Sequence, residues 1–213
     1  MAEKIIYLIR HGQTTMNAMG KVFSGSSNVS LSEKGISDTK KVSGHPILRT
    51  VEELYVTPLV RTHQTADLLF GKEFPRKIVA PLAEMDFGDY EGVFITPESE
   101  ENDPIIRQWI FDPEHLTFPG GENMVEHTDA AYAALLQLAE NSQKRVIAVV
   151  AHSTTIRLLL TRVLDCPLIT FRKIPCDNSC ITRLDYEDGQ FRIHFLNQSL
   201  DTDNTNPETS ILG

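Results

Sequence analysis

The sequence predicts an α/β fold: a three-layer α/β/α sandwich around a mainly parallel sheet, closed by a C-terminal antiparallel hairpin. Short apolar segments alternate along the chain with segments of helical periodicity, which is typical of a sheet covered by helices on both faces. No linker rich in proline, glycine or serine divides the 213 residues. We therefore expect a single domain over residues 1–197.

Runs of apolar, β-branched and aromatic residues predict the strands. KIIYLI (4–9) has the continuous apolar character of a central strand that is buried on both faces. ELYVT (53–57) and KRVIAVVAH (144–152) predict two further parallel strands. The segment SCITRLDYEDGQFRIHFLN (179–197) predicts the hairpin, with Asp188-Gly189 as its turn.

Four helices are predicted between the strands. SEKGISDTKKV (32–42) begins with Ser32, a residue that favours the N-cap position. The spacing of apolar residues indicates helices over 59–70 and 154–164, and the alanine- and leucine-rich segment 124–142 has high helix propensity.

Two segments do not follow the alternating pattern. Residues 85–121 carry many Pro, Asp, Glu and Gly around the amphipathic PIIRQWIF (104–111). We interpret them as an inserted region on the substrate side of the site, which would act as a lid if it moves. Residues 198–213 are polar and predict a loose C-terminal tail.

Composition limits the partners of the chain. Twenty basic and 29 acidic residues give a net charge of −9, which argues against a nucleic-acid partner. No apolar run approaches the roughly 20 residues of a membrane span, and no signal segment opens the chain, so we expect a cytoplasmic protein without a membrane partner.

The three cysteines lack a zinc-like spacing, and we expect reduced thiols with packing roles. An anionic small molecule would need a local pocket built from a few arginines.

Charged side chains follow the predicted strands at the points where these end. Arg10 and His11 follow the first strand, Arg61 lies just after the second, and His152 ends the strand over 144–151. Ligands of open α/β sheets bind beyond the carboxyl ends of the strands, so we expect these residues at one edge. Two arginines can bind a phosphoryl group bidentately, and a histidine with an unprotonated nitrogen can attack phosphorus.

Six segments, in order, resemble motifs of the histidine phosphatase superfamily, which includes the cofactor-dependent phosphoglycerate mutases. They are RHGQTTMN, NVSLSEKG, TPLVRTHQTA, LAEMDFGDYEG, FPGGEN and VVAHSTTIR. The resemblance extends over most of the chain, from about residue 5 to 186. It implies the phosphoglycerate mutase-like fold, branch 1 of the superfamily, and chemistry through a phosphohistidine.

The resemblance also implies roles for individual residues. His11 would be the nucleophile, while Arg10, Arg61 and His152 would bind the phosphoryl group and stabilise its transition-state charge. Glu84 would protonate the leaving alkoxide and then activate water.

Further residues are expected to contact the substrate. Asn17 would donate a hydrogen bond to a phosphate oxygen, and we place Ser24, Gly25 and Ser153 on the substrate side.

The chain departs from the family pattern at four positions. Gln13 stands where Glu is common, Asn28 where Asp is common, Ser26 where many members have Trp, and Ser153 where Gly is usual. The wall that faces the substrate is therefore expected to be unusual. Its candidate residues are Trp109, Phe111 and His127, with a core role for the two aromatic residues left open.

We favour a metal-independent phosphomonoester hydrolase that acts on a small phosphorylated metabolite. The family's mutases are usually longer and more basic after Glu84, whereas residues 93–118 here are short and acidic. No metal is expected because the arginines supply positive charge and no ligand spacing such as H-E-x-x-H occurs. No cofactor is expected either.

Two alternatives to hydrolysis remain: a phosphoglycerate mutase and a phosphate-ester-binding protein without turnover. Sugar phosphates, phosphoglycerates, ribazole phosphate, nucleotides and phosphoproteins all stay open as substrates. A homodimer is open too.

Overall fold

One mixed sheet of six strands, in the order β3-β2-β4-β1-β5-β6, organises the computed structural model, which describes residues 4–200. The strands are β1 (Lys4–Arg10), β2 (Glu53–Val56), β3 (Arg76–Ile78), β4 (Val146–Ala151), β5 (Ile181–Glu187) and β6 (Gln190–Gln198). β1 to β4 run parallel, whereas β5 is antiparallel to β1 and pairs with β6 as a hairpin. The predicted fold class is confirmed.

Seven α-helices surround this sheet within the described residues. They are α1 (Thr15–Met19), α2 (Glu33–Val42), α3 (Val60–Phe70), α4 (Pro97–Asn102), α5 (Pro104–Phe111), α6 (Met124–Asn141) and α7 (Ser153–Val163). Ser32 caps α2 as predicted, since its hydroxyl accepts a hydrogen bond from the Gly35 amide. The sequence analysis missed α1, α4 and β3, because α1 and α4 bury none of their residues and β3 is a three-residue edge strand without an apolar run.

Alternate residues of β1 enter two separate cores, which explains the three layers. Ile6 and Leu8 pack in the core formed with α6 and α7, while Tyr7 and Ile9 pack in the core formed with α2 and α3. A strand that is buried on both faces needs a continuous apolar run, which is the pattern of residues 4–9. Its position beside β4 and β5 fixes the centre of the sheet.

The hairpin turn has the predicted geometry. Asp188 and Gly189 both have positive φ values, 52° and 77°, as a two-residue turn of type I′ requires. Glycine adopts this conformation without a steric cost.

The region over residues 85–121 has an aromatic core of its own. Phe87, Trp109 and Phe118 pack with Phe23 and Phe171 from outside the region, and the Trp109 and Phe171 ring centroids lie 4.8 Å apart. This cluster holds α5 against the rest of the domain. Its movement as a lid stays a prediction.

The predicted loose tail begins too early. Gln198 is the last residue of β6, and Leu200 is buried in the core beside α2 and α3, because an apolar side chain gains free energy by leaving water. The rest of the predicted tail, 201–213, lies outside the described residues, and the limits of the domain stay a prediction. None of the helices within residues 4–200 is long and apolar enough to cross a membrane.

Candidate active site

The carboxyl ends of β1, β2 and β4 bring the predicted histidines and arginines together. Arg10 is the last residue of β1 and lies opposite Ala151, the last residue of β4. The His11 amide donates to the Ala151 carbonyl at 3.0 Å, which places His11 beside His152. The ring centroids of the two histidines are 5.2 Å apart.

The His11 ring is oriented by one hydrogen bond. Its Nδ1 lies 2.7 Å from the Gly12 carbonyl oxygen, which can only accept, so Nδ1 carries the hydrogen. The lone pair is therefore on Nε2, the nitrogen that remains for attack. Burial, with the charges of Arg61 and Arg10, holds the pKa of His11 well below its usual value. The ring is thus neutral, as a nucleophile must be.

Arg10 presents an unpaired donor at the site. Its Nη1 donates to the Cys176 carbonyl at 2.6 Å, but its buried Nε has no hydrogen-bond partner within the described residues. Buried donors are nearly always satisfied, so this unpaired N–H is a free donor within a residue that lines the cavity.

Arg61 and His152 lie together behind this cavity and are not among its lining residues. Arg61 Nε donates to His152 Nδ1 at 3.1 Å, so His152 Nε2 carries the hydrogen that it donates to Thr57 Oγ1 at 2.8 Å. The Arg61 Nη atoms donate to the carbonyls of Ser27 and Gly25, both at 2.7 Å. Burial and the nearby cations hold the pKa of His152 well below its usual value. The pair therefore places one buried positive charge beneath His11.

Glu84 is fixed at the N-terminus of α7. Its Oε2 accepts from the Thr154 amide and its Oε1 from the Thr155 amide, both at 3.0 Å, and the Thr155 hydroxyl lies 3.0 Å from Oε1. The helix dipole favours a carboxyl group at this end. Glu84 is 9% exposed and lines the same cavity as His11.

Of the predicted substrate contacts, Asn17, Ser24 and Ser153 line the cavity. Asn17 Oδ1 accepts from the Thr14 amide at 3.2 Å in a capping box, so its amino group is the part that can donate to a ligand.

Gly25 lies behind the cavity wall and is not among the lining residues. A Cβ atom there would come within 1.9 Å of the Met85 carbonyl oxygen, so the close approach of two backbone segments requires glycine. The Glu91 carboxylate accepts from the Gly25 amide at 2.9 Å and also holds the amides of Ser26 and Ser27. The sequence analysis did not single out Glu91 as the residue that holds this loop.

Of the four residues that depart from the family pattern, only Ser153 lines the cavity. Ser26 donates to Asp86 Oδ1 at 3.1 Å, away from the lining. Asn28 Oδ1 accepts from the Val60 amide at 2.8 Å, and Gln13 contacts the Ser32 hydroxyl at 3.0 Å.

The cavity has a volume of about 450 Å³, the size of a small-metabolite site. Four cationic side chains line it together with two carboxylates, so it is a positive pocket in an acidic protein, as expected. The cations are Arg10, Lys21, Arg157 and Arg172, and the carboxylates are Glu84 and Glu100.

Aromatic rings form one wall of this cavity. Trp109 belongs to it, together with Phe23, Phe87 and Phe171, so that Trp109 is both a wall and a core residue. Phe111 is 65% exposed and outside the lining, and His127 is buried outside it as well. The sequence analysis missed Lys21, Arg157 and Arg172, although Arg157 belongs to the segment VVAHSTTIR that it quoted.

The described residues contain no cluster of three or more His, Cys, Asp or Glu side chains that could hold a metal ion. The three cysteines are free thiols, and burial raises the pKa of Cys176 to about 11.

The comparison with protein families decides the membership. The family model for the histidine phosphatase superfamily (branch 1) matches residues 6–199. The chain belongs to this superfamily. The predicted family and the predicted type of enzyme, a phosphatase or mutase, are thereby confirmed.

Individual relatives carry both phosphatase and mutase names. The chain is 29% identical over 189 residues to the probable phosphoglycerate mutase GpmB of Salmonella choleraesuis, covering 87% of this chain and 86% of that protein. A crystal structure of a putative alpha-ribazole-5'-P phosphatase from Escherichia coli shares 25% identity, with a TM-score of 0.79 over 92% of this chain and 96% of the other. A phosphoserine phosphatase from Entamoeba histolytica, 22% identical, shares the fold with a TM-score of 0.81 over 92% and 97% of the chains.

Proposed function

We propose that this protein hydrolyses a small phosphomonoester through a phosphohistidine on His11. The observation that carries the proposal is the hydrogen bond from His11 Nδ1 to the Gly12 carbonyl, which leaves the Nε2 lone pair for attack. His11 shares its cavity with Arg10, which has a donor without a partner in the described residues, and with Glu84.

In the first step, Nε2 of His11 attacks phosphorus and the bond from phosphorus to the ester oxygen breaks. Arg10 and the Asn17 amino group bind the phosphoryl oxygens, while the charge of Arg61 beside His152 stabilises the negative transition state from below. Glu84 gives its proton to the departing oxygen, because an alkoxide is a poor leaving group at neutral pH.

In the second step, water attacks the phosphohistidine and the bond from phosphorus to Nε2 breaks. Glu84 accepts the proton that the water loses, which restores the acid for the next turnover. The bond from Nδ1 to Gly12 holds the ring in one orientation through both steps, so that a single nitrogen serves as nucleophile and leaving group.

The acidic character of the region over residues 93–118 supports water over a second phosphate ester as the acceptor. Glu100 of α4 lines the cavity, where it would repel a bisphosphorylated intermediate. We expect phosphate release from an aryl phosphate without any added cofactor. Rapid conversion of 3-phosphoglycerate to its 2-isomer, only after priming with bisphosphoglycerate, would establish a mutase instead. Stoichiometric ester binding without phosphate release would establish the non-catalytic alternative.

The cations beyond the phosphoryl end support a substrate with a second negative group. Arg157 is partly buried, and no carboxylate in the described part of the chain lies within ion-pair distance of it. Lys21 and Arg172 line the same cavity. Because a partly buried cation without a counter-charge favours an anionic ligand, we propose that the substrate carries a carboxylate there.

Matched esters test this preference. O-phosphoserine and O-phosphoethanolamine differ by one carboxylate, and a charge-assisted contact with it should raise kcat/KM by about 10- to 100-fold. Equal kcat/KM values for the two esters would contradict the preference and leave the phosphohistidine chemistry untouched.

The net charge of −9 supports the proposal of no nucleic-acid partner. We propose a cytoplasmic location as well. Whether two chains form a homodimer is tested by sedimentation of the purified protein.

A further inference from the structure

A chain of side chains in polar contact leads from the surface to Glu84 through residues that do not line the cavity. Glu122 Oε2 lies 3.0 Å from His127 Nδ1, His127 Nε2 lies 3.1 Å from Thr155 Oγ1, and Thr155 Oγ1 lies 3.0 Å from Glu84 Oε1. The side chain of His127 is 6% exposed, whereas that of Glu122 is 49% exposed. The chain therefore connects solvent with a buried carboxyl group.

One arrangement of hydrogens connects all the groups of this chain. Thr155 has one hydroxyl hydrogen, and two acceptors surround its oxygen: the Ala83 carbonyl at 2.7 Å and Glu84 Oε1 at 3.0 Å. When the hydroxyl donates to either of them, His127 Nε2 must be the donor to Thr155. His127 Nδ1 faces a carboxylate and is a donor too. In that arrangement both ring nitrogens of His127 donate, Nε2 to Thr155 and Nδ1 to Glu122.

This pairing also acts on Glu122. The hydrogen bond from His127 holds the pKa of the Glu122 carboxyl group below its usual value. A negative charge on Glu122 at the outer end of the chain stabilises the positive charge on the ring.

We propose that His127 is a positioning residue that supplies the proton of Glu84 through Thr155. The Nε2–H proton of His127 moves to Thr155 Oγ1 while the Thr155 hydroxyl proton moves to Glu84 Oε1. His127 becomes neutral, Glu84 becomes a carboxylic acid, and the number of protons in the three groups does not change. Two bonds to hydrogen break and two form. The inference rests on the proposed role of Glu84 as acid.

Bound substrate would separate Glu84 from the solvent in the cavity, so a second path for protons is useful. Glu84 is 9% exposed and faces the cavity, which the substrate fills before the acid is needed. Thr155 and His127 are buried and are not among the residues that line the cavity, so the substrate does not cover them. The chain through Thr155 would therefore keep the acid in exchange with solvent while the substrate is bound.

Several charged groups face the chain from neighbouring elements. Glu122 precedes α6, His152 at the start of α7 interacts with His127, and Arg61 and Arg157 interact with Glu84. A substitution at His127 leaves all four in place, so these groups are constant in the comparison of variants.

A shared proton predicts a distinctive pH dependence of kcat/KM for an alkyl phosphate. In the wild type, His127 and Glu84 share one proton that either group can hold, so the basic limb marks the loss of that proton from the two groups together. His127→Gln keeps an amide that can donate to Thr155 but has no proton to transfer. Glu84 then has no second group that shares its proton, so the basic limb should move to lower pH.

An activated aryl phosphate is the internal control, because its leaving group needs little protonation. Its basic limb should be the same in the wild type and in His127→Gln. Thr155→Val should reproduce the shift for the alkyl ester, and Thr155→Ser, which keeps the hydroxyl, should restore the wild-type limb. His115→Gln is the matched histidine control, since His115 pairs with Asp112 at the surface.

An unmoved limb with the alkyl ester, or an equal shift with both esters, would overturn the proposal. Retained aryl phosphatase activity shows in the same experiment that each variant is folded. Loss of the phosphohistidine from His11 would instead refute the proposed function, so the two failures are distinguishable.

Discussion

Replacing Glu84 with glutamine tests the assignment of the acid, and the structure gives the expected size of the effect. The change keeps the shape of the side chain but removes its transferable proton. It also puts an amino group where Glu84 now accepts from the amides of Thr154 and Thr155. At least one of these buried N–H groups then faces another donor.

Two magnitudes follow from this geometry. General acid catalysis contributes roughly 10² to 10⁴ in rate, so an alkyl phosphate should lose about 3 to 5 kcal/mol of transition-state stabilisation. An aryl phosphate should lose much less, because its leaving group departs without full protonation. The unpaired donor should lower the free energy of unfolding by about 1 to 3 kcal/mol, because Glu84 is nearly buried.

The assay is the single-turnover rate of phosphoenzyme formation with an alkyl and an aryl ester. Glu100→Gln is the matched control, since Glu100 lines the same cavity and should not change the ratio of the two rates. Equal slowing of both esters by Glu84→Gln would refute the role as acid.

Three further predictions concern charge. Since the folded-state pKa values of His11 and His152 lie below the unfolded value near 6.5, the unfolded chain binds more protons. The free energy of unfolding therefore falls with pH below about 6.5, by about 1.4 kcal/mol per pH unit for each ring. Urea titrations at pH 7.5 and 5.5 should give free energies of unfolding that differ by roughly 2.7 kcal/mol. Equal free energies would contradict the buried neutral pair of histidines. Arg157→Leu should raise KM for O-phosphoserine by about tenfold or more and leave KM for O-phosphoethanolamine within a factor of about two. A similar rise in KM for both esters would argue against a second anionic subsite. Activity should persist after dialysis against EDTA because arginines supply the positive charge, and a loss that Mg²⁺ reverses would show that a metal takes part.

The sequence could predict the elements that depend on local pattern. The apolar runs of β1 and β4 are visible because both strands are buried on both faces, and the strand ends locate His11 and His152 directly. The edge strand β3 carries no such run, since one neighbour alone holds it. Leu200 was missed because a single apolar residue within a polar segment gives no periodicity.

The hydrogen bonds of the site could not be predicted in the same way. Thr155 meets Glu84 across 71 positions of the chain, and Arg61 meets the Gly25 carbonyl across 36. Such contacts follow from how the layers pack rather than from any local spacing. The family resemblance supplied candidates for roles, whereas the proton on His11 Nδ1 and the connection from His127 to Glu84 follow from the structure alone.

The most direct test of the central claim is to locate the trapped phosphoryl group. Wild-type protein quenched during turnover of a labelled ester should carry acid-labile, base-stable phosphate on His11, and ³¹P NMR should place it on Nε2, because Nδ1 is bound to the Gly12 carbonyl. His11→Ala should be folded, carry no label and show no turnover. Phosphate on any other residue, or turnover by His11→Ala, would contradict the mechanism.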